Sequence, residues 1–411
     1  MTVVDIYRRV RRYGLNGVIL WARVKWGNCK LRLWLRWNAI RHPLKPSPGI
    51  TMLAGLSGAD SCGKVLRDLA FSIHDAGVPL QVFPAAATDP DGRGIMRLLT
   101  PLKDFQIRRH PLLIELFDGV TPEGLVPDQA HLAFWEFEDG FLPVYPKFAS
   151  LSHVVAISDF NAEVFRRELP ASVKVSKLLY PFRPHTGNLP SRQSIRERFG
   201  LPQDAFVVFF NFDFGSGFGR KNPDGAMRAF ADAFKDDANA WLVFKTMRSG
   251  QNPQRVAALS RLADELGIAA RFKMIHDYLS NDDIYGLTAA SDAYLSLHRG
   301  EGFGLGIAEA MSLGVPVVVS NYSAPTEFCK PDNSLLVPCR IVPVPKTQDH
   351  PTYAYVTRWA DPDVAVAADA LRRLKADPQF AQNLGQVAKD FIADYFSIAN
   401  FRASLEKLTR G

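Results

Sequence analysis

The stretch SLHRGEGFGLGIAEAMSLGVPVVVS, Ser296 to Ser320, decides the fold. Its leading LSL ends a strand, the glycines that follow make a loop, a helix starts near Leu305, and VPVVVS supplies the next strand. Strand, loop, helix and strand in immediate succession are the repeating unit of a parallel α/β sheet. Two acids stand at the entrance of this apolar unit, Glu301 in the loop and Glu309 about one turn inside the helix, with seven residues between them. At ordinary helical rise they lie roughly 10 Å apart or a little more. That is too far for an acid–base dyad, and it suits two grips on one extended ligand, each accepting hydrogen bonds from hydroxyls. Glycines allow close backbone approach, and the free amides of a helix start form an anion site, so phosphate or sugar hydroxyls fit there.

Outward from this unit the same alternation fills most of the chain. In the C-terminal half, strands at AFVVFFNF, AWLVFK, RFKMI and AYLSL alternate with helices at Asn222–Phe234, PQRVAALSRLADELG and DDIYGLTAAS. The N-terminal half repeats the pattern: ITMLAGL, LQVFP, LIELFD, HLAFWEF, HVVAIS and VKVSKLLY read as strands, and KVLRDLAFSIHDAG and DFNAEVFRREL as helices. Pro-rich breaks at HPLKPSPG and PFRPHTGNLPSRQS divide the chain. The expectation is a basic extension over 1–48, a Rossmann-like domain over 49–185, a second over 192–385, and helices over 386–411 that cross back to the first. Two doubly wound domains of similar size leave a cleft between the C-terminal edges of their sheets, where ligands of such folds bind.

Charge is distributed unevenly. Residues 1–48 hold eleven Lys/Arg and one acid, Asp5, whereas the remaining 363 residues, with 38 basic and 41 acidic, sum to −3. Four of the seven tryptophans, Trp21, Trp26, Trp34 and Trp37, lie in the same segment. Arg and Lys mixed with Trp and Leu suit a bilayer interface, at roughly 1 kcal/mol per charge near an anionic surface. Charges interrupt every apolar run, so the segment is neither a signal peptide nor a membrane span. A helical hairpin packed on the body, with a solvated basic face, is the alternative. The acidic remainder argues against a nucleic-acid arm. Four scattered cysteines, Cys29, Cys62, Cys329 and Cys339, indicate neither a disulfide framework nor a zinc site and fit a reducing cytosol.

The Glu301–Ser320 segment resembles the signature of the family 4 glycosyltransferases, retaining enzymes of GT-B architecture: EGFGLxxxEAMxxGxPVVxS. The resemblance implies that Glu301 contacts the donor sugar, that Glu309 holds the nucleotide ribose, and that amides around Gly302, Phe303, Gly304 and Leu305 face the sugar and diphosphate. A second block, FDFGSGFGRKNPDGAMRAFADAF, looks like the family's basic motif and makes Lys221 the residue that reaches the diphosphate. A cation there neutralises the charge that develops as the glycosidic bond breaks. The arginine expected several residues earlier is replaced by Gly215, Ser216 and Gly217, which leaves Arg220 or Lys245 to supply the second charge. Asp213 is placed to bond substrate hydroxyls or to shape the turn, and His298 falls beside the donor pocket.

The first domain carries weaker signals. GLSGADSCGK sits where such enzymes place a glycine-rich loop, with Asp60 facing the acceptor. HLAFWEFEDGFLPVYPKF resembles a pattern of bacterial members and would set His131, Glu136 and Glu138 along the cleft, the two acids on one strand face. DPD at Asp89–Asp91 echoes a metal-binding triplet, but a Pro-centred turn explains it better; no metal and no cofactor are expected. The whole reading is a retaining hexosyltransferase on the inner face of the cytoplasmic membrane, moving sugar from a nucleotide donor to a glycan, lipid-linked acceptor in bacterial surface polysaccharide synthesis. A sugar-nucleotide epimerase or phosphorylase of the same architecture, and a non-catalytic glycan-binding scaffold, stay open as alternatives.

Overall fold

Two six-stranded parallel sheets carry the chain. The computed structural model describes residues 28–42, 47–53, 61–83, 95–117, 121–276, 278–346 and 351–410. In the first sheet β1 (Ile50–Leu53), β2 (Leu80–Val82), β3 (Leu112–Leu116), β4 (Asp128–Ala133), β5 (His153–Ala156) and β6 (Lys174–Lys177) are ordered β2-β1-β3-β4-β5-β6. In the second, β7 (Phe206–Asp213), β8 (Ala240–Met247), β9 (Phe272–Ile275), β10 (Ala293–Ser296), β11 (Val317–Ser320) and β12 (Leu335–Val337) are ordered β12-β11-β10-β7-β8-β9. Strands such as β5 and β11 are buried along their whole length, as expected where helices cover both faces. The chain leaves β7 in one direction through β8 and β9, then returns to the other side of β7 as β10. The crevice between β7 and β10 is therefore the switch point at which doubly wound sheets bind ligands.

Local chemistry starts the helices where the site needs them. Helix Leu305–Ser312 follows Gly304, whose φ of 95° is open to glycine at little cost. Helix Pro223–Phe234 begins with proline, and the Asn222 side chain accepts from Gly225 N at 3.2 Å.

Helix Pro378–Tyr395 stays with the second domain, approaching so closely that a side chain on Gly385 would meet the Gly314 carbonyl oxygen at 2.0 Å. Helix Ile398–Arg410 reaches the first domain, where Arg402 donates to the Ala76 carbonyl (2.8 Å) and Ser404 Oγ accepts from Leu179 N (2.8 Å). The boundary placed at 385 in the sequence thus falls inside a helix. A second link had no sequence signal: the antiparallel pair β13 (Cys339–Pro343) and β14 (Arg358–Pro362) carries Tyr353, Val356 and Trp359 onto the first domain's aromatic cluster of Trp135, Phe137, Phe141 and Phe148.

Most of the N-terminal extension, residues 1–27 and 43–46, lies outside the described residues. Residues 28–41 form a helix whose inner face buries Leu35 and Ala39 against Leu53, Phe105, Ile107 and Leu113. Asn38 fixes it by donating to the Phe105 carbonyl (3.0 Å) and accepting from Ile107 N (2.9 Å). Its outer face leaves Leu33, Trp37 and Ile40 exposed beside Arg36 and Arg41.

Candidate active site

A cleft of about 990 Å³ runs between the domains, lined from the second by the loops after β7, β8 and β10 and from the first by Phe134, Glu136 and Tyr145. The β7 loop turns where Asp213 accepts from Gly215 N (2.8 Å) and where Gly217 has φ 86°. One helical turn, Phe218–Lys221, then aims Arg220 and Lys221 at the end of β10. There Glu301 receives both: Lys221 Nζ donates to its Oε1, and Arg220 Nη1 lies 3.3 Å from the same oxygen. Ser323 Oγ accepts from Glu301 N at 2.9 Å and holds the loop.

Burial alone would raise the Glu301 carboxyl, but Lys221 and Arg220 overcome it and bring it down to about 2. Glu301 is a fixed anion at any ordinary pH. Burial draws Lys221 down, Glu301 opposes this, and the neighbouring Arg220 adds to the lowering. Burial also draws Arg220 down, yet Glu301 and Glu136 outweigh it and its affinity for the proton rises. The guanidinium is anchored by donating to the Gly300 carbonyl (2.7 Å) and through Nη2 to the Ser216 carbonyl (2.7 Å). Arg220 therefore touches one carboxylate from each domain, Glu301 and, at 3.7 Å, Glu136.

The other residues expected to hold the donor separate into two groups. Gly302, Gly304, Leu305 and Glu309 line the cleft. Glu309 Oε1 accepts from Tyr285 Oη (2.9 Å), and the Tyr285 ring stacks on His185 at 4.6 Å. Phe303 lines it too, although its ring turns into the core against Tyr180 (4.4 Å) and Phe328 (5.3 Å). His298 stands behind the site, fully buried between Ser296 Oγ (3.2 Å) and the Tyr322 carbonyl (3.1 Å). Burial outweighs Glu301 and pushes its imidazole down to about 4, so it is neutral. It positions the Glu301 loop and does not reach the cleft.

Lys245 is 4% exposed, lines the cleft and makes no ion pair among the described residues. Burial lowers its pKa, and Asp213 only partly opposes this. Arg248 is a cation that the sequence reading missed. It sits at φ 59°, pairs with Asp213 at 3.2 Å, and lies over Gly215, where an added side chain would meet its Nη1 at 2.2 Å. A cation just past the strand that neighbours β7 was the available signal.

On the first-domain side Asp60 lies outside the described residues. Glu136 lines the cleft, but His131 and Glu138 do not. His131 is buried on β4, its Nδ1 facing the Phe117 carbonyl and its Nε2 facing Glu123 Oε1, both at 2.9 Å. Strand β4 ends at Ala133, so the alternation expected to put Glu136 and Glu138 on one face has already stopped. Glu138 instead lies 3.8 Å from Arg358. Gly300 explains why Glu136 is central: a side chain there would meet the Glu136 carbonyl oxygen at 2.4 Å, so the two domains touch backbone to backbone at the Glu301 loop. Among the described residues no group of three His, Cys, Asp or Glu could hold a metal, and no helix is long and apolar enough to cross a membrane.

Residues 191–342, which contain the β7 and β10 loops, match a family model described as Glycosyl transferases group 1. Lipopolysaccharide glucosyltransferase WaaG of Escherichia coli (strain K12) is 28% identical over 143 residues, a match that takes in 34% of this chain and 35% of that relative. Among solved structures, Anabaena HepE in complex with UDP-glucose aligns with a TM-score of 0.63 at 16% identity, over 89% of this chain and 100% of that one. Sucrose-phosphate synthase from Thermosynechococcus elongatus aligns with a TM-score of 0.57 at 14% identity, covering 89% and 98%. The crystal structure of WaaG gives 0.56 at 13%, covering 86% and 98%. The fold is GT-B: two parallel-sheet domains facing one cleft, as in these proteins.

Proposed function

We propose that this chain is a retaining glycosyltransferase that moves a sugar from a nucleotide-diphosphate donor to a glycan acceptor in bacterial surface polysaccharide synthesis. The observation that carries the reading is the cluster at the β7/β10 switch point, where Glu301 is held charged between Lys221 and Arg220 at the wall of the cleft. The group 1 match over the same loops supports it, as do fold relatives whose crystals hold UDP or UDP-glucose.

In this reading Glu301 accepts hydrogen bonds from donor-sugar hydroxyls and Glu309 from the ribose. Lys221, Lys245 and Arg248 surround the diphosphate. The bond between the anomeric carbon and the phosphate oxygen breaks with its electron pair passing to that oxygen, and the cations stabilise the charge as it develops. The acceptor hydroxyl oxygen bonds to the anomeric carbon from the same face, and its proton goes to the departing phosphate oxygen. The side chains position and neutralise, and neither a covalent intermediate nor a metal is required. The acceptor is lipid-linked, and residues 1–48 hold the enzyme at the anionic cytoplasmic face of the membrane. The outer face of helix 28–41, with Trp37 and Ile40 beside Arg36 and Arg41, has the composition of an interfacial helix.

Turnover of UDP-sugar, GDP-sugar and ADP-sugar donors by the full chain tests the assignment, with Glu301→Gln and Lys221→Met as comparisons. Loss of turnover in both variants with retained folding is expected, and the anomeric configuration of the product, read by NMR, should match that of the donor. Full activity in both variants would sink the assignment.

A further inference from the structure

We propose that Phe134, Tyr145 and Glu136 form a saccharide-binding subsite for the acceptor, in which a pyranose ring rests on the two aromatic rings and offers a hydroxyl to the carboxylate. The subsite deepens the glycosyltransferase reading above and rests on it.

The aromatic cluster of the first domain is closed on all but one side. Trp135, Phe137, Phe141 and Phe148 are at most 2% exposed, whereas Phe134 and Tyr145 are only half-buried and line the cleft. Both rings are backed by Phe117, which stacks on Tyr145 (5.3 Å, 19°) and meets Phe134 at 5.0 Å. Phe117 has φ 52°, a left-handed conformation that costs a bulky residue about 1–3 kcal/mol and recurs where a ligand site must be held. The structure holds it there: its N donates to the Leu132 carbonyl (2.8 Å), and its carbonyl accepts from His131 Nδ1 (2.9 Å). His131 is fixed in turn by Glu123, whose other oxygen accepts from Ser152 Oγ (3.1 Å). A chain of hydrogen bonds that runs from exposed Ser152 and Glu123 inward through buried His131 thus maintains a strained residue whose ring supports the two rings open to the cleft.

The position of this platform suits an acceptor. Phe134 abuts the Glu301 loop, since a side chain on Gly302 would meet its ring at 2.9 Å. Glu136 Oε1 lies 3.7 Å from Arg220, which also reaches Glu301 at 3.3 Å. A sugar on the platform is therefore next to the residue that holds the donor sugar, on the wall supplied by the opposite domain. The C–H face of a pyranose carries partial positive charge and rests on the negative face of an aromatic ring. A carboxylate accepts from sugar hydroxyls in charge-assisted hydrogen bonds. Two open rings beside one carboxylate match a hydroxylated pyranose better than a lipid tail, which needs no carboxylate, or a phosphate, which the carboxylate repels.

The test is saturation-transfer NMR on the full chain saturated with UDP, with methyl glucopyranoside and methyl mannopyranoside as probes. UDP affinity is measured in parallel as a readout of the intact donor side. Wild type should transfer saturation to the ring protons of at least one glycoside. Tyr145→Ala should weaken that glycoside about tenfold or more, equivalent to ~1.4 kcal/mol. Tyr145→Phe should restore it, and Glu136→Gln should weaken it severalfold. Tyr145→Leu keeps most of the volume and guards against collapse of the cluster; it should behave as Tyr145→Ala. Glycoside binding that is absent in wild type, or unchanged in both Tyr145→Ala and Tyr145→Leu, overturns the subsite while UDP binding leaves the donor reading standing. A wild type that fails to bind UDP sinks the reading on which the subsite rests, and the subsite with it.

Discussion

Replacing Glu301 by glutamine removes one charge from a buried group of three while keeping its shape. The carboxyl is brought from an ordinary 4.5 down to about 2 in the folded chain by Lys221 and Arg220, against the opposing effect of burial. At 1.36 kcal/mol per pK unit the fixed charge contributes about 3 kcal/mol near neutral pH. Glu301→Gln should therefore lower stability at pH 7 by ~3 kcal/mol, which for a domain of this size is a fall of about 6–12 °C in melting temperature. The folded pKa is depressed, so the contribution is complete above about 4.5 and lost as pH falls toward about 2. At pH 3 the gap between variant and wild type should shrink to ~1 kcal/mol. Added UDP should raise the melting temperature of the variant more than that of wild type, because the diphosphate replaces the missing anion beside Lys221 and Arg220. The assay is differential scanning fluorimetry at pH 7 and pH 3 with and without UDP. A variant that melts within about 2 °C of wild type at pH 7 would refute the electrostatic account.

Lys245→Met should behave in the opposite sense. Burial lowers the lysine pKa without an ion pair to compensate, so the variant should melt higher than wild type while binding UDP about tenfold more weakly by calorimetry. Gly300→Ala places a methyl 2.4 Å from the Glu136 carbonyl oxygen and should cost about 1–3 kcal/mol of stability in denaturant titrations, together with most of the transfer rate. Transfer in excess EDTA should proceed at the untreated rate, and a loss restored by added Mg²⁺ would show that the cations around the diphosphate do not suffice. Leu33, Trp37 and Ile40 changed together to Ser should leave thermal stability within about 0.5 kcal/mol, because their side chains are exposed. The same change should weaken sedimentation with phosphatidylglycerol vesicles, and unchanged sedimentation would remove this helix face from the membrane contact.

Much of this protein is written in short-range pattern. The stretch from Glu301 to Ser320 specifies strand, loop and helix because its glycines, apolar run and acids are local features. Alternation at that scale carries through both halves, so two parallel sheets and a cleft were legible without coordinates. That Glu301, Glu309 and Lys221 would line one cleft was legible for the same reason: each lies in a connection that follows β10 or β7, and strand ends meet at a switch point. Tertiary structure decided the rest. The distance from Lys221 to Glu301 depends on β10 returning to lie beside β7, a choice between two edges that no local pattern records. Arg248 comes to lie over the loop after β7 only because β8 borders β7 and Gly215 leaves room above it. His131 looked like a cleft residue and is a buried clamp on Phe117, since its neighbours come from residues 117 and 123 rather than from its own strand. Glu136 became central and Glu138 peripheral because β4 stops at Ala133, ahead of both. Sequence by itself determined which elements form and which end of each bears chemistry, because hydrogen-bond periodicity and glycine conformations act over a few residues. Which of those ends face one another was decided by strand order and by the contact of two domains, where the bonding partners are separated by 80 or more residues.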